Sequence, residues 1–380
     1  MPGSGDTTGP RALSRHTGAN DSRFDVVAQN LNAWCRVPGS PFADGLLLVP
    51  NHPAAGQVSV RFGPLELTPR ADTIDCLFAS LPRPEHENRL GVALQVSDST
   101  STPLAQSRVT LGSGERGAAT LRFDPAQDGR VHLRVDVAFE HFAGGPAYGN
   151  VTMRYMVAYE RNPLVDLFNA TGSDKGTQVY WGEGVPHCYA LTYHALLAPL
   201  RDQSFNLLEI GLDTASQESG RPADAPSLRA WREYLPQAVL YGYDIHDFGF
   251  FEQPATRTFR GDQSSREDLA RFVADHGAPA FRVVIDDGSH VPSHQQIALA
   301  TLFPRVEPGG IYVVEDLNWQ PYEEAPTTLE VLRGMAEHGR VESRFLTDAE
   351  ARRLEEDIAE IEIHKPNDSE LAVITKKGEG

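Results

Sequence analysis

Cysteine is almost missing from this sequence. Cys35, Cys76 and Cys188 are the three in 380 residues, and no two stand in a CxxC pair. That excludes a zinc ribbon and a disulfide framework, and it suits a reducing cytoplasm. Positive charge is also short: 34 Lys and Arg face 52 Asp and Glu, a formal net charge of −18. A chain so anionic repels a nucleic-acid backbone or an anionic membrane, so neither is expected as its main partner. No apolar run is long enough to span a bilayer, and the opening MPGSGDTTGPRALSRHTGANDS holds no apolar stretch of the kind a secretory signal carries. We expect a cytoplasmic protein in which residues 1–23 are a flexible arm, too polar to offset its ordering entropy by burial. No internal repeat is visible.

What is present falls into two rhythms. The length alone favours two domains, and 40% hydrophobic residues suffice for sizeable cores. From 24 to 160 the runs VSVRFG, LGVALQVS, SRVTLG, AATLRFD, VHLRVDVAF and NVTMRYMVAY alternate or are rich in valine, with turn clusters such as GSGERG between them. This predicts an all-β sandwich or jelly roll. Trp34, Phe62, Phe123, Phe139 and Tyr155 are expected in its core rather than on a sugar-stacking face. No catalytic motif occurs there. A self-association surface, giving a homo-oligomer, and a module presenting a glycan are both compatible with it.

From 161 to 380 apolar runs alternate with helical stretches: LLEIGL, SLRAWREYLP, AVLYGYDI, SREDLARFVADHG, FRVVIDD, SHQQIALATLFPRV and GGIYVVEDL. Buried parallel strands read as unbroken apolar runs, so this half predicts an α/β, doubly wound, Rossmann-like domain. The end of the chain, VESRFL and then IEIHKPNDSELAVITKK, reads as strand-like runs around a Pro-Asn-Asp turn, closing the sheet with an antiparallel strand.

In such sheets ligands bind beyond the carboxyl ends of the strands. The residues found there are Glu209 and Gly211, Asp244, Asp262 and Gln263, Asp286, Asp287 and His290, and Glu315 with Asp316. One strand-end aspartate is often merely a helix cap. Acids at successive strand ends are harder to explain that way. Asp244, ending the second strand, lies where a carboxylate accepts bonds from both hydroxyls of a ribose, yet no GxGxxG cradles a pyrophosphate; a nucleoside without a diphosphate fits better. Asp287, Glu315 and Asp316 emerge from adjacent strands, and three close carboxylates call for a hard cation, Mg²⁺ first and Mn²⁺ or Ca²⁺ next. The plainer alternative gives one acid to a helix cap and another to Arg282 or Arg305. His290 beside that cluster is the candidate base, ahead of His294, His246 and His187.

LEIGL, GYDIH, RGDQ, VVIDDGSH and EPGGIYVVEDL, in this order, resemble class I S-adenosylmethionine-dependent methyltransferases. More narrowly they resemble the metal-dependent sugar O-methyltransferases of macrolide biosynthesis, the mycinamicin and tylosin type. Cephalosporin-hydroxylase-like proteins share the IDDGSH and ED pattern. TGSDKGTQVYWGEGVPHCY is similar to the lead-in segment before the first strand in that family, and the resemblance spans about 165–377. It implies S-adenosylmethionine and Mg²⁺ as cofactors, a glycosylated small molecule or glycan as acceptor, and His290 as base. Metal ligands would be Asp287, Glu315 and Asp316. Cofactor contacts would be Asp244 at the ribose, Asp262, Gln263 and Asp286 towards the adenine and amino-acid end, with Glu209, Gly211 and Ser227. The loop GLDTASQESGRPADAP departs from the pattern, with Asp213 where a second glycine is common. Two rival readings remain: a non-catalytic nucleoside- or glycan-binding protein, and a hydroxylase-like relative. This sequence shows no two-His-one-carboxylate triad, which weighs against an iron oxygenase.

Overall fold

The structure is a computed structural model that describes residues 24–25, 34–36, 46–49, 58–80, 87–126, 128–143, 151–179, 186–212, 224–275, 280–319, 323–367 and 369–378. The expected arm, the loop with Asp213, residues 180–185 and the side chain of Trp34 lie outside them. Two compact units divide the chain. One runs to Asn162 and takes in Thr177–Pro186; the other consists of Pro163–Gly176 and His187–Gly380.

The first unit holds strands β1 (Phe24–Asp25), β2 (Trp34–Arg36), β3 (Leu46–Val49), β4 (Val58–Glu66), β5 (Thr73–Ser80), β6 (Arg89–Asp98), β7 (Pro103–Leu111), β8 (Arg116–Arg122), β9 (Arg130–His141) and β10 (Val151–Tyr159). They form two antiparallel five-stranded sheets, in the orders β1-β4-β9-β6-β7 and β2-β3-β10-β5-β8. Alternation puts Val131, Leu133, Val135 and Val137 of β9 into one core with Ile74, Phe78 and Leu121 of the other sheet. Phe62, Phe123 and Tyr155 are buried and Phe139 packs partly buried against that core.

Strand β5 escapes the sequence reading because TIDCLFAS does not alternate; Thr73 to Phe78 are all buried. Its Asp75 accepts hydrogen bonds from Thr120 Oγ1 (2.6 Å), Tyr159 Oη (2.8 Å), Thr177 Oγ1 (2.5 Å) and Gln178 Nε2 (3.2 Å). A buried carboxylate is tolerated only with such a set of donors. The same bonds tie Thr177 and Gln178 to this unit.

The second unit has one seven-stranded sheet in the order β13-β12-β11-β14-β15-β17-β16. Strands β11 (Asn206–Ile210), β12 (Val239–Asp244), β13 (Thr256–Arg260), β14 (Phe281–Asp286) and β15 (Val306–Val314) are parallel; β16 (Ile358–His364) and β17 (Leu371–Lys376) form the expected antiparallel hairpin. Its helices are α1 (Pro163–Thr171), α2 (Tyr189–Leu197), α3 (Pro226–Tyr234), α4 (Arg266–Asp275), α5 (Pro292–Leu302), α6 (Thr328–His338) and α7 (Asp348–Asp357). Val341–Leu346 forms no strand. It leads into α7, which starts where Thr347 and Glu350 close a capping box that satisfies two otherwise orphaned amides. The chain runs outward from β11 through β12 to β13, then returns to β14 on the other side of β11. That reversal is the switch point at which doubly wound sheets bind ligands.

Candidate active site

Two turns meet at the switch point because one residue has no side chain. Gly211, just past β11, has φ +82°, and a Cβ there would lie 2.0 Å from the carbonyl oxygen of Asp287. Asp287 N in turn donates to Ile210 O at 2.9 Å, so the ends of β11 and β14 are stitched together. Asp244 closes β12 and accepts from the amides of Leu212 and His246, both at 2.8 Å. The carboxylate expected at a ribose therefore organises the turns on each side of it, and it keeps 8% exposure.

Asp286 and Gln263 form a buried brace. Gln263 Nε2 donates to Asp286 Oδ1 at 2.6 Å, Ser289 N donates to Gln263 Oε1 at 3.0 Å, and Tyr312 Oη donates to Asp286 Oδ2 at 3.1 Å. Burial raises the Asp286 pKa to about 7, against the pull of these donors. Asp286 thus faces the protein and joins the loops after β13 and β14. Asp262 accepts from Ser264 N at 2.8 Å, shaping the turn into α4. Ser227, at the start of α3, donates to Glu209 Oε2 at 2.9 Å. Glu209 is fully buried; its Oε1 has no hydrogen-bond partner among the described residues, and burial raises its pKa to about 7.

The acids of β14 and β15 are held from a direction the sequence did not announce. Helix α2 sets Tyr189 and Tyr193 four residues apart on one face. Tyr189 Oη donates to Asp316 Oδ1 at 2.6 Å, and Tyr193 Oη donates to Glu315 Oε1 at 2.5 Å. Lys175, buried, donates to Glu315 Oε2 at 2.8 Å and pairs with Asp287 Oδ2; Glu209 Oε1 lies 3.9 Å from its Nζ. Burial opposes the ammonium charge, but Asp287, Glu315 and Glu209 outweigh it, and the Lys175 pKa lies well above the ordinary value. Burial and the neighbouring Asp287 push Glu315 well up. Asp316 is held below the usual range: burial raises it, but His187, His290 and the Tyr189 hydroxyl prevail.

The sequence does carry a weak signal for Lys175. It is one of four lysines, the other three being Lys365, Lys376 and Lys377 near the end of the chain. Sequence reasoning passed over it, as over Tyr189 and Tyr193, because each looks ordinary in its own segment.

His290 sits between two carboxylates, its Nε2 3.9 Å from Asp287 Oδ1 and 3.8 Å from Asp316 Oδ2. Ligand atoms of Asp287, His290 and Asp316 all lie within 4.8 Å of one another. The two carboxylates fit a hard divalent cation, with the imidazole beside it. Glu315, expected as a ligand, is outside this group and turned towards Lys175 and Tyr193. Both His290 (φ +57°) and Asp316 (φ +54°) have left-handed backbones, a conformation non-glycine residues seldom adopt. Trp319 meets the His290 ring edge-to-face at 5.3 Å. His294 Nδ1 lies 2.8 Å from Ser289 Oγ. No helix among the described residues is long and apolar enough to cross a membrane.

No protein-family profile matches the chain. Among curated proteins it is 40% identical over 165 residues to an 8-demethyl-8-alpha-L-rhamnosyl tetracenomycin-C 2'-O-methyltransferase of Streptomyces olivaceus, covering 43% of this chain and 40% of that one. It is 37% identical over 139 residues to the mycinamicin VI 2''-O-methyltransferase of Micromonospora griseorubida, covering 37% and 33%. The matches thus span two fifths or less of these two relatives' own lengths. A solved structure of the MycE methyltransferase with Mg, SAH and mycinamicin VI shares 27% identity at a TM-score of 0.45, over 57% of this chain and 55% of that one. At that score the fold rests on the strand order of the sheet itself. Over 139 to 165 residues, the chain is similar in sequence to O-methyltransferases named for rhamnosyl tetracenomycin C and mycinamicin VI.

Proposed function

We propose that the protein is an S-adenosylmethionine- and divalent-metal-dependent O-methyltransferase acting on a sugar hydroxyl of a glycosylated natural product. The observation that carries this reading is the convergence of Asp287, Asp316 and His290 Nε2 at the carboxyl edge of the sheet, beside Gly211 and Asp244 at the switch point. Sequence relatives named for methylating rhamnosyl tetracenomycin C and mycinamicin VI support it.

Bound S-adenosylmethionine supplies a methyl group already activated on a sulfonium. Asp244 would accept from the ribose hydroxyls, and the tight turn at Gly211 would let the chain pass close to the methionine part. Asp262, Gln263, Asp286, Ser227 and Glu209 would keep the strand ends in register around it. Asp287 and Asp316 would hold Mg²⁺, which would supply Lewis acidity towards an acceptor hydroxyl. His290 Nε2 would take the proton as the hydroxyl oxygen becomes the nucleophile. Trp319 gives an apolar face where a sugar ring can lie.

The test is calorimetry with S-adenosylmethionine with and without Mg²⁺, followed by methyl transfer to rhamnosylated polyketides read by mass spectrometry. Asp287→Ala should lose metal-dependent turnover. Full turnover in EDTA would sink the metal role, and failure to bind S-adenosylmethionine would favour a non-catalytic protein.

A further inference from the structure

Glu315 has no oxygen to spare. Tyr193 Oη holds Oε1 and the Lys175 ammonium holds Oε2, while the same ammonium pairs with Asp287 Oδ2. Any cation that takes Asp287 must contend with one already there. We propose that Lys175 is a resident cation that competes with the divalent metal for Asp287, and that Glu209 is the seat to which its ammonium withdraws when the metal binds. This rests on the metal dependence proposed above and deepens it.

Three features of the site support it. The first is charge: Asp287, Glu315 and Glu209 face one ammonium in a buried space, so a second cation is attracted, yet two cations on one carboxylate repel. The second is reach. The backbone of the lysine segment is fastened to the start of α2, by Ala190 N to Lys175 O at 2.8 Å and Cys188 N to Gly176 O at 3.1 Å. Its four-carbon stem is flexible, so the ammonium can shift without moving the helix that carries Tyr189 and Tyr193. The third is the destination. Glu209 Oε1 lies 3.9 Å from Nζ, is buried, and accepts no hydrogen bond among the described residues. A small movement satisfies that orphan and frees Asp287 Oδ2.

The competition gives two substitutions opposite signs. Lys175→Met removes the competitor, so Mg²⁺ should bind at least tenfold more tightly. The metal-depleted variant should melt at a lower temperature than the wild type and recover it with saturating Mg²⁺. Glu209→Gln removes the charged seat, so the ammonium stays on Asp287 and Mg²⁺ should bind severalfold more weakly. A merely structural lysine would not produce this opposition. Calorimetric titration of EDTA-treated, dialysed full-length protein with Mg²⁺ measures both. Equal or weaker binding by Lys175→Met overturns the proposal. Should that variant not fold, unchanged or tighter binding by Glu209→Gln overturns it alone. A wild type that binds no Mg²⁺ overturns the proposed metal dependence itself and this proposal with it.

Discussion

His290 and Asp316 spend backbone energy to stand where they do. A left-handed conformation costs a non-glycine residue on the order of 1 kcal/mol, and two such residues face each other across one site. His290→Gly should therefore stabilise the fold by about 1 kcal/mol while lowering kcat roughly 10²–10⁴-fold, the usual scale for losing a general base. Thermal melting and steady-state kinetics on the same sample check both halves. The identities of these residues were legible in the sequence, since acids that end one strand after another converge on a single edge of the sheet. Their strain was not, because φ is set by the path of the turn rather than by residue type. The signal for Lys175 was faint for another reason: it lies 112 residues before Asp287 in the chain, in a polar turn that reads as solvent-facing until Asp287 and Glu315 are placed.

Between elements, the contact that decides the site is the one at Gly211. Gly211→Ala forces a Cβ to within 2.0 Å of a carbonyl oxygen and keeps φ at +82°. It should cost about 3 kcal/mol and move Asp287 as well, so melting temperature and Mg²⁺ affinity should fall together. In the other unit, Asp75→Ala leaves four hydrogen-bond donors without their acceptor, and about 2–4 kcal/mol of stability should be lost, measurable by denaturant unfolding. Strands that alternate, or that run apolar between turn signals, were read from the sequence, as was the terminal hairpin. Strand β5 was not, since an aspartate within a non-alternating run looks like a break until its donors arrive from β8, β10 and the segment at Thr177. Helix α7 was missed because Val341–Leu346 resembles a strand, whereas the Thr347–Glu350 capping box was the better local signal.

For the whole molecule, the buried acids set the direction of the pH dependence. Glu209 has its pKa raised by burial from 4.5 to about 7. A carboxyl of this kind binds its proton more tightly when folded, so the stability it contributes is complete below about 4.5 and is lost as pH rises through about 7. Unfolding free energy should fall between about pH 5 and about pH 8, and Glu209→Gln should flatten that fall by on the order of 3 kcal/mol. Denaturant titrations of both proteins across this range supply the measurement; parallel profiles would show that Glu209 titrates as an ordinary glutamate.

The ring beside His290 has an optical consequence. Of the four tryptophans, Trp231 is fully buried and Trp319 is 55% exposed. An indole in water emits at longer wavelength than one in a dry core. Trp319 is thus the red-edge emitter of the second unit's described residues, and it stands 5.3 Å from the proposed base. A sugar settling over that ring would strip it of water and shift its emission to the blue, while Trp231 stayed silent. The difference spectrum between wild type and Trp319→Phe isolates that signal, so acceptors can be screened by colour before any of them is turned over.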